Sequence, residues 1–308
     1  MVNNFIESNE ILMTTHCGYV AIIGRPNVGK STLLNRILQQ KISITSRKPQ
    51  TTRHQILGIR TLDNTQVLYV DTPGLHQKTP KAINRVMNKA ALSVIHDVDV
   101  VVFMTDGKIT PDERWILTQL EHAKSPVILA INKIDQTRDK AALLPVIEAY
   151  AKEFEFTEIM PISAKHGTNV EGLETKVASF MPEAKFLYAE DEITDKSMRF
   201  MVAEIIREKL MRMLGQELPY AVAIEVEQYK ENPETEQIDI HAAILVERDT
   251  QKAIVIGKGG EKLKQIGRLA RLDINELIGQ RCHLKLWVKV KRGWADDERA
   301  LKGLGYDI

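Results

Sequence analysis

Hydrophobic and polar positions divide the chain into two regions. From about residue 17 to 180, short apolar runs alternate with helix-like segments, and four of these runs lie at 19–23, 67–70, 127–131 and 159–162. The alternation predicts an α/β domain over 16–180, with a mostly parallel sheet covered by helices on both faces. Such sheets carry binding loops at the carboxyl ends of their strands. Residues 181–197 contain a proline, many acidic residues and little periodicity, which predicts a linker.

The second region, 198–308, has a different order of elements. Helical spacing over 200–214 precedes two strand-like segments at 220–227 and 238–246. An aliphatic run then enters a glycine-rich loop at 257–260, which predicts a strand–loop–helix setting with the helix continuing to about 278. A last strand follows at 282–290, and a basic tail and a short helix at 296–301 end the region. The pattern predicts a smaller α+β domain. Residues 1–15 are predicted to form a poorly ordered extension.

Composition narrows the function classes. The chain has 308 residues, of which 44% are hydrophobic and 27% charged, as in ordinary globular proteins. Its formal charge is +1, so a nucleic-acid surface would have to arise from local segregation of charge. The two cysteines lie far apart and form no metal or disulfide pattern, which favours a reducing, cytoplasmic setting. No apolar stretch reaches about eighteen residues, which argues against a membrane span, and the amino terminus does not look like a secretory signal. Reversible contact with a membrane surface stays open.

A glycine-rich octapeptide joins the first strand to a helix-like stretch. It consists of Gly24, Arg25, Pro26, Asn27, Val28, Gly29, Lys30 and Ser31, and Thr32 follows. Its glycines allow a tight bend in which backbone N–H groups point at phosphate oxygens. Lys30 can reach the β- and γ-phosphates, and the Ser31 hydroxyl can bind Mg²⁺. The pattern predicts a nucleoside triphosphate site.

A second polar segment directly follows the run at 67–70. It consists of Asp71, Thr72, Pro73 and Gly74. A carboxylate at the end of a strand beside the phosphate loop is placed to hold Mg²⁺ directly or through water. We expect the Gly74 amide to sense the γ-phosphate.

The segment after the run at 127–131 predicts which base is bound. Asp135 can accept hydrogen bonds from both N1–H and N2–H₂ of guanine, whereas adenine offers neither donor. The aliphatic stem of Lys133 can cover the base, and Asn132 can tie the loop to its neighbours. Three more residues at the end of the fourth run complete the predicted pocket, with the second offering its amide to guanine O6: Ser163, Ala164 and Lys165.

A polar segment between the first two motifs fits a mobile switch. It consists of Gln50, Thr51, Thr52, Arg53 and His54. A threonine here would complete the Mg²⁺ shell only when the γ-phosphate is present. We favour Thr52 for this role, with Thr51 as the alternative. Leu75, which we also assign to the switch regions, occupies the position where signalling GTPases carry a water-orienting glutamine.

The glycine loop of the second region has the features of a phosphate-backbone binder. Small residues let a nucleotide backbone approach, and the following helix N-terminus favours phosphates. From 258 to 292 the chain carries ten Lys or Arg and three Asp or Glu. The predicted RNA-binding residues are Ile256, Gly257, Lys258, Gly259, Gly260, Lys262, Lys264, Arg268, Lys285, Trp287 and Lys289. For Trp287, stacking on a base and covering the sheet are equally compatible with the sequence.

The nucleotide motifs resemble those of the translation-factor-like branch of the P-loop GTPases, and the second region resembles a type II KH domain. One GTPase domain followed by one KH domain resembles the Era family across nearly the whole chain. The resemblance implies slow GTP hydrolysis involving Lys30, Asn27, Thr52 and Gly74, with Leu75 in place of the usual glutamine. Mg²⁺ is the implied cofactor, and Asn27 matches an asparagine that helps some such GTPases bind an activating K⁺.

The resemblance also implies partners and a location. These are the 3′ end region of 16S ribosomal RNA and the maturing small (30S) ribosomal subunit, with a link to growth or cell-cycle control. It further implies a cytoplasmic monomer with loose contact to the inner membrane face. Two alternatives stay open from the sequence: a membrane-associated regulatory GTPase whose KH-like domain binds protein, and an RNA-binding scaffold that holds GDP without hydrolysing GTP.

Overall fold

The computed structural model describes residues 14–46, 48, 51–77, 82–137, 139–214, 222–233, 236–295 and 297–303. The predicted extension at 1–15 lies outside these residues except for its last two. The first domain contains β1 (His16–Ile23), α1 (Lys30–Ile37), β2 (Ile56–Leu62), β3 (Thr65–Asp71), α2 (Ala82–Ser93), β4 (Val100–Thr105), α3 (Pro111–Leu120), β5 (Val127–Ile131), α4 (Leu143–Glu153), β6 (Glu158–Pro161) and α5 (Val170–Ala178). Short 3₁₀ turns lie at Val94–His96, Ile134–Gln136 and Lys140–Ala142.

These strands form one six-stranded sheet in the order β2-β3-β1-β4-β5-β6. Strand β2 runs antiparallel to β3, and the other neighbouring pairs are parallel. The predicted α/β fold class is confirmed. The four apolar runs identified in the sequence correspond to β1, β3, β5 and β6, and β2 and β4 complete the sheet.

The sheet has a separate hydrophobic core on each face, and successive residues of its central strands contribute to the two cores in turn. Val20 and Ile22 face the helices α1 and α5, whereas Ala21 and Ile23 face the side of α3 and α4. Because side chains alternate along a strand, a run that is apolar at every position predicts a sheet covered on both faces. Because β1, β3, β5 and β6 run parallel, their carboxyl ends lie at the same edge of the sheet, and the polar motifs follow there.

The predicted linker is packed against the first domain. The Cys17 amide donates to the Pro182 carbonyl at 3.1 Å, and the Ile59 amide donates to the Ile193 carbonyl at 2.9 Å. The segment ends at Ser197, whose hydroxyl accepts a hydrogen bond from the Phe200 amide and caps the next helix. Its aromatic residues Phe186 and Tyr188, which carry no periodic signal, pack on residues of β1, β2 and β3.

The second domain contains α6 (Met198–Met213), β7 (Val222–Asn232), β8 (Gln237–Val246), α7 (Asp249–Ile256), α8 (Glu261–Ile278), β9 (Cys282–Val290) and α9 (Glu298–Gly303), with a 3₁₀ turn at Lys258–Gly260. Strands β7 and β8 are antiparallel, and β9 runs parallel to β8. The predicted strand before the glycine loop is wrong, because the run at 253–256 is the end of α7. A four-residue aliphatic run fits a buried strand and a helix end equally well.

The two faces of the second sheet are covered differently. Helices α6 and α8 bury one face over an aliphatic core. On the other face Ala243 and Leu245 pack with Trp294 of the carboxyl-terminal segment and with Ile83 and Met87 of α2. The second sheet is thus in direct contact with a helix of the first domain. None of the helices described here is long and apolar enough to cross a bilayer.

Candidate functional site

The phosphate loop is a tightly enclosed turn. Gly24 and Gly29 have positive φ angles of 153° and 111°. A Cβ atom at Gly24 would lie 2.3 Å from the Met104 carbonyl oxygen, and one at Gly29 would lie 2.2 Å from Nδ2 of Asn132. Only glycine fits these positions, so the loop closes against β4 and the base-binding segment. Helix α1 starts immediately after it, with its N-terminus directed at the loop.

Lys30 lies over the loop that precedes it. Its Nζ donates to the Gly24 and Arg25 carbonyl oxygens at 3.0 and 3.1 Å. Burial lowers the pKa of this ammonium group to about 8, and the charge of Asp71 opposes that shift. Phosphate oxygens would favour the charged form still further. The side chain is therefore placed to exchange loop carbonyls for the phosphates of a nucleotide.

Three predicted metal ligands converge at the start of α1. The Ser31 hydroxyl lies 2.7 Å from Oδ2 of Asp71 and 2.7 Å from the Thr52 hydroxyl. Burial raises the pKa of the Asp71 carboxyl, while Lys30 and the serine hydroxyls oppose the rise. Within the described residues, Oδ1 of Asp71 is buried without a hydrogen-bond partner. Hydroxyl and carboxylate oxygens around an unpaired buried acceptor fit Mg²⁺.

The same geometry separates the two candidate threonines. The Thr51 hydroxyl donates to the Lys48 carbonyl oxygen at 2.6 Å and lies 2.8 Å from the Ser46 hydroxyl. It is thus occupied within its own segment, whereas Thr52 reaches Ser31. This arrangement supports Thr52. Gln50, the first residue of the predicted switch, lies outside the described residues.

The base-binding segment is locked by hydrogen bonds between loops. Nδ2 of Asn132 donates to the Val28 carbonyl at 2.8 Å, and its Oδ1 accepts from the Ala164 amide at 2.9 Å. The Ser163 hydroxyl donates to Oδ1 of Asp135 at 2.6 Å, and this bond lowers the carboxyl pKa. Asp135 is therefore held ionised and oriented. The Ala164 amide, which we expected to face guanine O6, donates to Asn132 here, so the O6 contact stays a prediction.

A cavity of about 530 Å³ connects the phosphate loop to the base-binding segment. The predicted residues that line it are Pro26, Asn27, Gly29, Lys30, Ser31, Thr32, Thr51, Thr52, Gly74, Asn132, Lys133, Asp135 and Lys165. Its size and its mixture of backbone, hydroxyl and charged groups suit a nucleotide. The other predicted residues of the pocket support its walls.

Arg25 is one of these supporting residues. Its guanidinium pairs with Asp106 at 3.0 Å and with the fully buried Glu113. Asp106 also pairs with Lys133 at 3.5 Å. Asp106 therefore joins the phosphate loop to the base-binding segment, whereas Glu113 ties the phosphate loop to α3; we identified neither carboxylate from the sequence. Glu113 carries one sequence signal, because Thr110 and Glu113 form the capping box of α3.

The segment from 72 to 75 lies against the phosphate loop. The Thr72 hydroxyl donates to the Ile22 carbonyl at 2.8 Å, and the Leu75 amide donates to the Gly24 carbonyl at 3.2 Å. A Cβ at Gly74 would lie 2.7 Å from Pro26, so the backbone at 74 approaches the loop closely. The Leu75 side chain is fully buried in the core on the α3 side. It is a packing residue and faces away from the cavity.

The end of the switch segment contacts the second domain. Nη1 of Arg53 donates to the Val222 carbonyl of β7 at 2.8 Å, and the His54 ring lies edge-on to Phe200 of α6 with centroids 5.2 Å apart.

Within the second domain, a groove of about 450 Å³ runs between α8 and β9. It is lined by Gly260, Leu263, Lys264, Gly267, Arg268, Arg271, Leu284 and Leu286.

The KH loop is an exposed turn between α7 and α8. Gly259 and Gly260 have φ angles of 61° and 78°, and a Cβ at either would meet no atom of the described residues within 4 Å. Lys258, Lys264 and Arg268 are exposed around the loop and the groove, Lys262 is half-buried, and Ile256 packs into the core beneath. The four basic residues lie in the loop or in the first half of α8, whereas Ile256 belongs to the core, and their contact with RNA stays a prediction.

Three predicted RNA-binding residues lie elsewhere. Lys285, Trp287 and Lys289 alternate along β9 with the groove residues Leu284 and Leu286, so they lie on the opposite face of the sheet. There Trp287 packs against the cluster that contains Trp294, and Lys289 pairs with Glu227. The sheet therefore separates these three residues from the loop and the groove, and their contact with RNA stays a prediction. The structure favours covering the sheet as the role of Trp287.

Both domains and nearly the whole chain match known proteins. Residues 19–133 match the family model of a 50S ribosome-binding GTPase, and residues 217–295 match that of the KH domain. The chain is 57% identical over 293 residues to GTPase Era of Glaesserella parasuis, covering 95% of this chain and 97% of the relative. It is 54% identical over 292 residues to GTPase Era of Vibrio parahaemolyticus, covering 94% and 91%.

Solved structures agree over the whole length. A crystal structure of Era in complex with MgGDPNP and nucleotides 1506–1542 of 16S ribosomal RNA superposes with a TM-score of 0.92 at 37% identity. An Aquifex aeolicus Era variant bound to GDP and AlF₄⁻ also gives 0.92, at 36% identity. Each comparison covers 96% of this chain and 100% of the other. With a P-loop domain and a KH domain in this order, the chain belongs to the Era family of GTPases.

Proposed function

We propose that this protein binds Mg²⁺–GTP, hydrolyses it slowly, and binds the 3′ end region of 16S ribosomal RNA through its KH domain. The observation that carries the nucleotide part is the convergence of Ser31, Thr52 and Asp71 at one end of a cavity whose other end holds Asp135. The solved relative bound to MgGDPNP and 16S RNA nucleotides supports both parts. The location of Thr52 in a segment that touches the second domain supports a link between them.

The roles of the chain's own groups follow from their positions. The backbone of 24–31 and Lys30 hold the phosphates, and Asp135 fixes the base, so the triphosphate is oriented for attack by water. Bound Mg²⁺ would neutralise developing phosphate charge, with Ser31, Thr52 and Asp71 holding it. The Gly74 amide is available beside the loop for the γ-phosphate.

Slow turnover is part of the proposal. The Leu75 side chain is apolar and is buried in the core, so it cannot orient the attacking water through a hydrogen bond. Positioning and charge stabilisation supply nearly all catalysis in this reaction class. The proposal assigns part of that charge stabilisation to K⁺ near Asn27, which lines the cavity with a positive φ of 64°. Hydrolysis rates in matched K⁺ and Na⁺ buffers test this assignment, and equal rates contradict it.

Base selectivity tests the nucleotide part. Asp135→Asn exchanges a double acceptor for a group that also donates, so GTP affinity falls by on the order of a hundredfold and xanthosine triphosphate gains relative to GTP. Asp139→Asn, in the adjacent exposed turn, is the matched control with unchanged affinities. Calorimetric titration with GTP, ATP and xanthosine triphosphate measures both variants. ATP binding as tight as GTP binding, unaffected by Asp135→Asn, would refute the proposal.

The RNA part predicts salt-dependent binding. An RNA held through phosphate contacts by Lys258, Lys264 and Arg268 should lose affinity steeply as salt rises. Footprinting on 16S RNA with a GTP analogue and with GDP locates the site and its nucleotide dependence. Salt-independent binding would favour the alternative in which the KH domain binds protein.

The cellular part of the proposal comes from family membership. We place the protein, as a cytoplasmic monomer, in small-subunit maturation with a link to growth control, and we include peripheral contact with the inner membrane face. Depletion followed by sedimentation of ribosomal particles tests the first: unprocessed 16S RNA in 30S-sized particles is the expected result. Co-sedimentation with vesicles of anionic lipid tests the membrane contact, and it is independent of the ribosomal result.

A further inference from the structure

We propose that Glu208, in helix α6 of the KH domain, is a positioning residue for the nucleotide site of the first domain. It holds the start of the segment that carries Thr52, so that the triphosphate state depends on a residue of the RNA-binding domain. The inference rests on the proposed role of Thr52 at Mg²⁺, and it adds the group that keeps Thr52 in reach.

Both backbone groups of Thr45 are held by α6. The Thr45 amide donates to Oε1 of Glu208 at 3.1 Å, and the Thr45 carbonyl accepts from Nη2 of Arg212 at 3.2 Å. Arg212 in turn pairs with Oε1 of Glu208 at 3.0 Å. Charge-assisted hydrogen bonds of this kind are stronger and more directional than neutral ones. Two ion-paired side chains therefore hold both backbone polar groups of one residue of the first domain.

Thr45 belongs to a segment in the wall of the nucleotide cavity. Thr45 and Ser46 line the cavity, and Ser46 contacts Thr51 through their hydroxyls at 2.8 Å. Downstream of Thr52, Arg53 is bonded to β7 and His54 packs on α6. The segment is thus anchored to the second domain on both sides of Thr52.

Glu208 pairs with several basic side chains from both domains. Its side chain is fully buried, and its Oε2 accepts from Lys41 of the first domain at 2.6 Å and pairs with Lys209 at 3.5 Å. Lys41 and Lys209 both also pair with Asp273 of α8. A buried carboxylate is stable only with such partners, so its position is tightly defined. The network ends on α8, the helix that begins at the KH loop.

The decisive measurement is the preference for triphosphate over diphosphate. Displacement of a fluorescent GDP by GDPNP and by GDP, at fixed Mg²⁺, gives this ratio for the full-length protein. Glu208→Gln keeps the shape of the side chain but weakens the bond to Thr45, so we expect the ratio to fall about tenfold. Affinity for GDP should change less than twofold, because the diphosphate state does not use Thr52.

Control variants separate the possible failures. Glu153→Gln breaks an exposed pair with Arg114 away from the cavity and should leave the ratio unchanged. Thr52→Ala should lower the ratio; if it does not, the proposed role of Thr52 is refuted, and the inference with it. If Thr52→Ala lowers the ratio and Glu208→Gln does not, only the inference is overturned. An equal loss for GDP and GDPNP would show a merely structural role and also overturns it.

A milder variant covers the case in which Glu208→Gln fails to fold. Arg212 is half exposed, and Arg212→Gln removes the bond to the Thr45 carbonyl while leaving Glu208 paired with Lys41 and Lys209. We expect a threefold fall in the ratio, on the order of half the effect in free energy. An unchanged ratio in a folded Arg212→Gln protein overturns the inference.

Discussion

The molecule contains two glycine-rich loops that precede helices, and glycine serves a different purpose in each. In the phosphate loop a Cβ at Gly24 or Gly29 would collide with neighbouring atoms at 2.3 and 2.2 Å. In the KH loop Gly259 and Gly260 have empty space around them. All four have positive φ angles, so conformation alone does not distinguish the loops.

The difference shows that contacts within the protein require glycine in the phosphate loop, whereas in the KH loop we expect the ligand to require it. The phosphate loop is enclosed by β4, the base-binding segment and Gly74, so its cradle is formed before nucleotide binds. The KH loop is unsupported on its outer side, and its missing side chains leave room for the nucleotide backbone we expect there. Substitution at Gly24 or Gly29 should therefore distort the first loop itself, whereas substitution at Gly259 or Gly260 should act mainly on ligand binding.

The largest expected effect is that of Gly29→Ala. The added Cβ displaces Asn132, which breaks its bond to the Val28 carbonyl, so GTP affinity should fall on the order of a hundredfold or more. RNA affinity without nucleotide should stay the same. Calorimetry with GTP and filter binding with RNA measure the two.

The matched control for Gly29→Ala is Gly107→Ala. Gly107 also has a positive φ, of 87°, but a Cβ there lies no closer than 3.5 Å to any neighbour. It should cost stability without abolishing nucleotide binding. Equal loss of GTP affinity in both variants would show that backbone strain, and not the collision, decides the result.

The sequence predicts the residues of the phosphate loop and its neighbouring motifs better than it predicts the elements around the KH loop. Lys30, Asp71 and Asp135 could be identified because phosphate, metal and guanine each require a particular group at a strand end. The sequence already favoured Thr52 over Thr51; the hydrogen bonds of the two hydroxyls agree with that preference, and the role of Thr52 at Mg²⁺ stays a prediction. The run at 253–256 was assigned to the wrong element because short aliphatic runs are ambiguous.

Contacts between the domains were outside the reach of the sequence. Nothing in the sequence of α6 distinguishes Glu208 from the helix's other charged residues, and the role we propose for it depends on Lys41 and Thr45, which lie far away in the chain. Trp287 is similar, because the partners that cover it include a helix of the other domain. Such pairings are set by how two folded units meet, which periodicity and motifs do not encode.

The next largest effect is expected from Gly259→Ala. Its Cβ meets no protein atom, so folding loses only about 1–2 kcal/mol from the left-handed backbone. RNA affinity should fall about tenfold, since the methyl group occupies the space for the nucleotide backbone. Gly279→Ala is the control, because Gly279 has a similar φ of 69° and equally empty surroundings at the far end of α8.

Thermal unfolding and RNA titration of both variants decide this prediction. The two proteins should lose similar stability, and only Gly259→Ala should bind RNA more weakly. If both variants bind RNA as the parent does, the open side of the KH loop is not a ligand site, and the comparison between the two loops fails.

A smaller effect is expected from Lys264→Gln in the groove beside the KH loop. Removing one phosphate contact should weaken RNA binding several-fold at low salt and reduce the slope of log affinity against log salt by about one. Lys152→Gln, on exposed α4 of the first domain, keeps the same change in net charge away from the groove. A slope reduced equally by both variants would indicate a general charge effect.

The smallest effect on RNA affinity is expected from Trp287→Ala, which tests whether the RNA surface extends around β9. Because the indole covers the sheet beside Trp294, its removal should cost about 2 kcal/mol of stability, mainly through lost packing. RNA affinity should change less than twofold, since the groove lies on the opposite face.

Trp287→Phe distinguishes the two roles of this side chain further. A phenyl ring retains much of the packing and can still stack on a base, so it should restore most of the stability lost in Trp287→Ala. Denaturant unfolding and RNA titration at one salt concentration measure all three proteins. Unchanged stability together with a tenfold loss of RNA affinity in Trp287→Ala would show that the indole stacks on RNA, and the binding surface would then span both faces of the sheet.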